Sequence, residues 1–229
     1  MKIAVIPARG GSKRIPGKNI KLFFGKPIIS YTIEAAIQSN LFDKVIVSTD
    51  DLNIASIAKS FGAEVPFVRP NELSTDFVFT VPVIKHAIEF FISEGVNLDT
   101  VCCLSATAPM VDKNILVDSY NLFKKNKVRG YVFSATPFPF PIQRAFSIKH
   151  NGLVEMNDIK NYNVRSQDLI PMFYDACQFY WGSPTSFLSE KFFYSNDSQA
   201  YVLPKHLVQD IDTLEDWNNA ELIYKSFKS

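Results

Sequence analysis

Ile3-Ala4-Val5-Ile6-Pro7-Ala8-Arg9-Gly10-Gly11-Ser12-Lys13-Arg14-Ile15-Pro16-Gly17-Lys18-Asn19 opens as an apolar run short enough for a buried strand. It continues into a loop with three glycines, two prolines, four cationic side chains, a serine and an asparagine, and an amphipathic segment follows. Glycines let backbone N–H groups approach phosphate oxygens, while Arg9, Lys13 and Lys18 offset the charge of a polyphosphate. The spacing is not that of a P-loop, nor that of the dinucleotide fingerprint. A glycine-rich turn with solvated Lys and Arg is the plain structural alternative. Against it, four cations crowd the ten residues from Arg9 to Lys18, in a chain whose 24 basic and 23 acidic residues nearly cancel. The stretch predicts a phosphate cradle at the carboxyl end of a first strand.

Outward from that loop, Pro27 to Gln38 carries apolar residues at helical spacing, with Pro at the expected first position. Lys44 to Thr49 reads as a second buried strand ending at Asp50-Asp51, which can cap a helix from Leu52 to Phe61 that Gly62 terminates. Glu64 to Val68 is a short edge-like segment, since Pro66 removes a ladder donor. The polar turn Arg69 to Asp76 leads into an amphipathic helix from about Thr80 to Glu94. Thr100 to Ser105 is a third strand, Lys113 to Lys124 a helix and Gly130 to Ala135 a fourth strand. This alternation predicts an α/β, Rossmann-like fold with a mostly parallel sheet, right-handed crossovers and flanking helices.

The pattern then breaks at Pro137, Pro139 and Pro141. A hairpin around Asn151-Gly152 is expected between Arg144–Lys149 and Gly152–Glu155. The segment 138–174 is a candidate lid or dimerisation insertion within a single domain spanning 1–229. Gln178 to Trp181 and Ala200 to Leu203 return as strands, and Thr213 to Lys225 closes as a helix.

The 229 residues suffice for one large domain, and a hydrophobic share of 47% argues for a packed globule rather than a disordered chain. A net charge of +1 supplies no general field for nucleic acid or an anionic membrane, so any phosphate affinity must be local. No apolar run approaches bilayer length, and the first residues lack a signal-peptide core, so a soluble cytoplasmic protein is expected. Cys102 and Cys103 are adjacent in an apolar strand, where their side chains should point to opposite faces; with Cys177 they show no metal-like spacing. His86, His150 and His206 are scattered singly and fit no ligand pattern.

In an open α/β sheet, ligands gather at the carboxyl ends of the strands. Four such ends carry polar loops here: Arg9 to Asn19, Ser48 to Asp51, Ser105 to Pro109 and Ala135 to Pro141. A second constellation is Asp210-Ile211-Asp212. Alternation puts both carboxylates on one face, about 6–7 Å apart at the Cα atoms, near enough to share a hard cation such as Mg²⁺. The competing structural role is that Asp212, with Thr213, caps the final helix.

These residues resemble the CMP-sialic acid synthetase (acylneuraminate cytidylyltransferase) family, whose members activate nine-carbon acidic sugars. The likeness rests on Ile6 to Asn19, Ser48-Thr49-Asp50, Arg69-Pro70-Asn71-Glu72-Leu73 and Asp210-Ile211-Asp212-Thr213. Through Ala106-Thr107-Ala108-Pro109, Phe140 to Ala145 and Asp175 to Gly182 the chain is most similar to the branch that uses pseudaminic acid. Ala106 stands where sialate synthetases carry a glutamine, and Tyr174-Asp175-Ala176-Cys177 replaces an Arg-Pro-Asn-Gly segment. Both departures argue against N-acetylneuraminate as substrate.

The resemblance implies a nucleotidyltransferase fold and Mg²⁺-dependent transfer of CMP from CTP, with release of pyrophosphate. It implies Arg9, Lys13 and Asp212 as catalytic residues and Asp210 with Asp212 as metal ligands. For the nucleotide it implies Arg9, Gly10, Gly11, Ser12, Lys13, Lys18, Asn19, Thr75, Asp76 and Ala106. For the sugar it implies Gln143, Arg144, Arg165, Asp175, Gln178 and Tyr180. A homodimer is implied as well, without nucleic-acid or membrane partners. Transfer to legionaminate, N-acetylneuraminate or 3-deoxy-manno-octulosonate, and a non-catalytic nucleotide-binding module, are the competing expectations.

Overall fold

The computed structural model describes residues 1–125 and 128–228. The opening apolar run forms β1 (Lys2–Pro7), and after the cationic loop come the short strands β2 (Leu22–Phe23) and β3 (Lys26–Pro27), paired antiparallel. Helix α1 (Ile28–Gln38) follows, with Pro27 at its N-cap rather than its first turn. Next stand β4 (Lys44–Ser48) and α2 (Leu52–Ser60); Asp51 caps α2, its carboxylate accepting from the Asn53 and Ile54 amides. Glu64 forms an isolated parallel bridge to Ile46, which makes its segment the expected edge piece.

The chain continues through α3 (Thr80–Ser93), β5 (Thr100–Leu104), α4 (Lys113–Lys125) and β6 (Tyr131–Pro137). The hairpin around Asn151-Gly152 is present as β7 (Phe146–Ile148) and β8 (Val154–Met156). Then come β9 (Phe173–Gly182), the short α5 (Pro184–Leu188), β10 (Gln199–Val202) and α6 (Leu214–Lys228). Among the described residues, no helix is long and apolar enough to cross a membrane.

The main sheet has the order β10-β6-β9-β5-β1-β4. It is parallel except for β9, which runs antiparallel to both β5 and β6 near the middle of the sheet. Alternation along β1 and β5 divides the core. Ala4, Ile6, Cys102 and Leu104 join the cluster beneath α1, α2 and α4, whereas Ile3, Val5, Val101 and Cys103 join that beneath α3 and α5. The neighbouring cysteines therefore do point to opposite faces, as the period-2 geometry of a strand requires. A third cluster joins α1 to α6 through Tyr31, Trp217 and Ala220.

One irregularity shapes the site. Phe133 pairs with Tyr180 and Ala135 with Asp175, so the four residues Ala176 to Phe179 stand against the single residue Ser134. The buried Ser134 hydroxyl accepts from the Gln178 and Phe179 amides, at 3.0 and 3.3 Å. Cys177, on this bulge, adopts φ +54°, the left-handed region that a Cβ disfavours.

Candidate active site

The carboxyl ends of β1 and β5 open onto a cleft of about 350 Å³. The cationic loop supplies Arg9, Ser12, Lys13, Arg14, Lys18 and Asn19; the segment entering α3 supplies Thr75, Val78, Phe79 and Thr80; Ser105, Ala106 and Thr107 follow β5. Cys177, Tyr180, Asp210 and Asp212 complete the wall. Two clusters almost two hundred residues apart in sequence thus face one space.

Local contacts explain the loop's shape. The Gly10 amide donates to Asp50 Oδ1 at 3.0 Å, and a Cβ at Gly10 would lie 2.7 Å from the Asp51 carboxylate, so only glycine fits there without displacing the α2 cap. Asn19 is buried and its Nδ2 donates to the Arg9 carbonyl at 3.0 Å, closing the loop on itself. Arg9 Nη2 lies 2.7 Å from Asp76 Oδ1, and Lys13 pairs with the other oxygen of the same carboxylate. Lys13 and Arg9 hold the Asp76 carboxyl below its ordinary range.

At the far end of the loop, Lys18 Nζ donates to the Ile211 carbonyl at 2.5 Å and lies 3.4 Å from Asp212 Oδ1. Arg14 Nη2 reaches the same oxygen at 2.8 Å. The final helix is capped by Thr213 instead of Asp212: Thr213 Oγ1 accepts from the Asp216 amide, and Asp216 Oδ2 accepts from the Thr213 amide at 2.8 Å. Asp212 is therefore free of capping by its side chain and lines the cleft. Burial, then the neighbouring Asp212 charge, push the Asp210 carboxyl above its ordinary value, partly offset by Lys18. Two carboxylates that repel in one cleft suit a hard divalent cation. Among the described residues no group of three or more His, Cys, Asp or Glu is arranged to hold a metal ion.

The residues expected at the sugar divide differently. Tyr180 lines the cleft, and its hydroxyl donates to Asp175 Oδ2 at 2.6 Å; Tyr194 donates to the same oxygen at 2.9 Å. Burial and Asp175 push the Tyr180 phenol well above its usual range. Asp175 stands behind that phenol rather than on the cleft wall. Gln178 is buried, with Nε2 donating to the Leu207 carbonyl at 2.7 Å. Gln143, Arg144 and Arg165 do not line the cleft. Gln143 donates to the Ile170 carbonyl, Arg144 to the Val164 carbonyl and Ser166, and Arg165 pairs with Asp168, all within 138–174. Gly10 and Gly11 shape the loop without facing the space.

Arg69 and Arg14 went unassigned on sequence. Arg69 is 3% exposed, lines the cleft and donates through Nε to Ser74 at 3.1 Å, while its buried Nη2 makes no hydrogen bond. Asp50, 3.6 Å from that Nη2, is its counter-charge. An arginine at the head of the polar Arg69-Pro70-Asn71-Glu72-Leu73 turn was the available signal, but its burial is set by Asp50 in another segment.

A glycine-rich cationic loop after the first strand of such a sheet, opposed by a carboxylate pair, is the arrangement a nucleotidyltransferase needs. The chain belongs to the cytidylyltransferase family, whose profile matches residues 3–221. It is 47% identical over 223 residues to the pseudaminic acid cytidylyltransferase of Campylobacter jejuni subsp. jejuni serotype O:2, covering 97% of this chain and 96% of that protein. It is 33% identical to the CMP-N,N'-diacetyllegionaminic acid synthase of Legionella pneumophila subsp. pneumophila, covering 94% and 92%. The solved structure of a CMP:2-keto-3-deoxy-manno-octonic acid synthetase complexed with CTP superimposes with a TM-score of 0.70 at 16% identity, over 98% of each chain, and shares the fold.

Proposed function

We propose that this chain transfers CMP from CTP to pseudaminic acid, giving CMP-pseudaminic acid and pyrophosphate. The observation that carries the chemistry is the meeting of the Arg9-to-Lys18 cations with Asp210 and Asp212 across one cleft. The choice of sugar is supported by the 47% identity to the Campylobacter enzyme over nearly the whole of both chains.

Arg9 and Lys13 release Asp76 and hold the triphosphate, with Ser12 and the loop amides beside them. The sugar's anomeric hydroxyl attacks the α-phosphate in line; the new P–O bond forms as the bond to the bridging oxygen of the β-phosphate breaks, and pyrophosphate leaves with that electron pair. Asp212 takes the hydroxyl proton, while Lys13 neutralises charge at the α-phosphate. Asn19, Thr75 and Ala106 bound the nucleoside side of the cleft, and Tyr180, oriented by Asp175, bounds the sugar side. Asp210 and Asp212 would hold Mg²⁺, which supplies charge neutralisation to the triphosphate when bound. Positioning and electrostatics account for most of the rate in such a site.

The segment 138–174 is an insertion of the single domain, and it serves as the contact between two copies. It leaves Phe140, Ile148, Leu153, Val154, Ile159 and Ile170 in solvent, more apolar surface than one small hairpin would expose unpartnered. In a dimer, Gln143, Arg144 and Arg165 reach the sugar of the neighbouring copy, which accounts for their distance from their own cleft.

Pyrophosphate release measured with CTP and a panel of acidic sugars tests the assignment. Pseudaminate should be turned over fastest; faster use of N-acetylneuraminate, legionaminate or 3-deoxy-manno-octulosonate overturns the choice of sugar. In the same assay Asp212→Ala should lose about 10²–10⁴-fold in turnover, the range for a positioned proton acceptor, while CTP binding persists. Equal activity in the variant removes Asp212 from the mechanism.

A further inference from the structure

Phe79 lines the cleft yet is 82% exposed. Among the described residues no aromatic ring or cation is paired with it, although the structure pairs Phe23, Phe67, Phe90, Tyr131 and Tyr180 with other rings. It is the N-cap residue of α3 and supplies no side-chain hydrogen bond there, so the cap does not depend on its identity. A phenyl ring left in water adds nothing to the core, and its stability role is close to nil.

Its surroundings have the composition of a base site. The apolar Leu73, Val78 and Val83 line the same cleft, as do the hydroxyl-bearing Thr75 and Thr80. Three residues before Phe79, Asp76 is the group that now occupies Arg9 and Lys13. Phe79 and these cleft-lining residues share the cleft with Arg9 and Lys13, and so with a nucleotide whose phosphates take over those two cations. We propose that Phe79 is the platform on which the pyrimidine of bound CTP stacks, closing that side of the cleft. The inference rests on the nucleotide reading above and adds to it a residue that recognises the base through its π face.

Stacking of a base on an aromatic side chain corresponds to roughly a tenfold or greater gain in affinity. Calorimetric titration of the full chain with CTP and with inorganic tripolyphosphate, which has no base, separates this from other roles. Phe79→Ala should bind CTP about tenfold more weakly and tripolyphosphate as the unaltered chain does. Phe79→Trp should restore CTP binding, with the new indole's emission quenched by CTP and not by tripolyphosphate; Phe79→Leu should not restore it. CTP affinity within twofold of the unaltered chain in Phe79→Ala, or a parallel loss for tripolyphosphate, overturns the stacking role. If the unaltered chain itself binds CTP no better than tripolyphosphate, the nucleotide reading fails and the stacking with it.

Discussion

Ser134→Ala is the substitution through which the bulge of β9 can be measured. The hydroxyl is fully buried and is the acceptor for two backbone amides, those of Gln178 and Phe179, at 3.0 and 3.3 Å. Alanine fits the space but accepts nothing, and a buried donor left without its partner costs about 1–3 kcal/mol. With the 3.3 Å contact counted as the weaker, the expected loss is about 2–4 kcal/mol. For a chain of this length about 1 kcal/mol corresponds to roughly 2–4 °C in Tm, so the midpoint should fall by about 4–16 °C. Urea unfolding followed by circular dichroism gives the free energy directly, with an unchanged slope expected because the surface exposed on unfolding is the same. The bulge also aims Cys177 at the cleft and sets Tyr180 on Asp175, so KM for the sugar should rise in the same variant. A loss below about 0.5 kcal/mol would show that the bulge amides do not depend on Ser134, and the argument from buried satisfaction would fail.

Two further outcomes are expected. Cys177 lines the cleft, and desolvation with the carboxylates of Asp175, Asp210 and Asp212 pushes its thiol up to about 11; alkylation by iodoacetamide should therefore be slow at pH 8 and keep accelerating toward pH 11, because the thiolate is the reactive form. A rate already level by pH 9 would contradict that environment, and Cys102 and Cys103, both buried, should stay unmodified throughout. Sedimentation equilibrium should report twice the chain mass of 25.9 kDa, and Ile148→Lys with Ile170→Lys should halve it; a monomer in the unaltered chain would refute the role given to 138–174.

Much of the architecture was legible because it is written locally. The strand from Lys2 to Pro7, the Asp51 cap of α2 and the hairpin around Asn151-Gly152 each depend on residues a few positions apart. Period, capping and turn chemistry act over that range. The antiparallel course of β9 was not legible, since the apolar run Gln178 to Trp181 reads alike in either direction and its neighbours were chosen by long-range pairing. The same holds for Arg69, whose burial depends on Asp50, and for Phe79, whose exposure no local pattern announces.

By itself the sequence determined the α/β class, the glycine-rich cationic loop after the first strand and the two candidate carboxylates of Asp210-Ile211-Asp212. Backbone freedom, charge and alternation are properties of short segments, and they survive without knowledge of neighbours. Only the tertiary structure decided that Lys18 and Arg14 reach Asp212, that Thr213 relieves Asp212 of capping, and that Gln143, Arg144 and Arg165 lie away from their own cleft. Those outcomes depend on distances between segments far apart in the chain, which packing of the two core layers sets and no local stretch encodes.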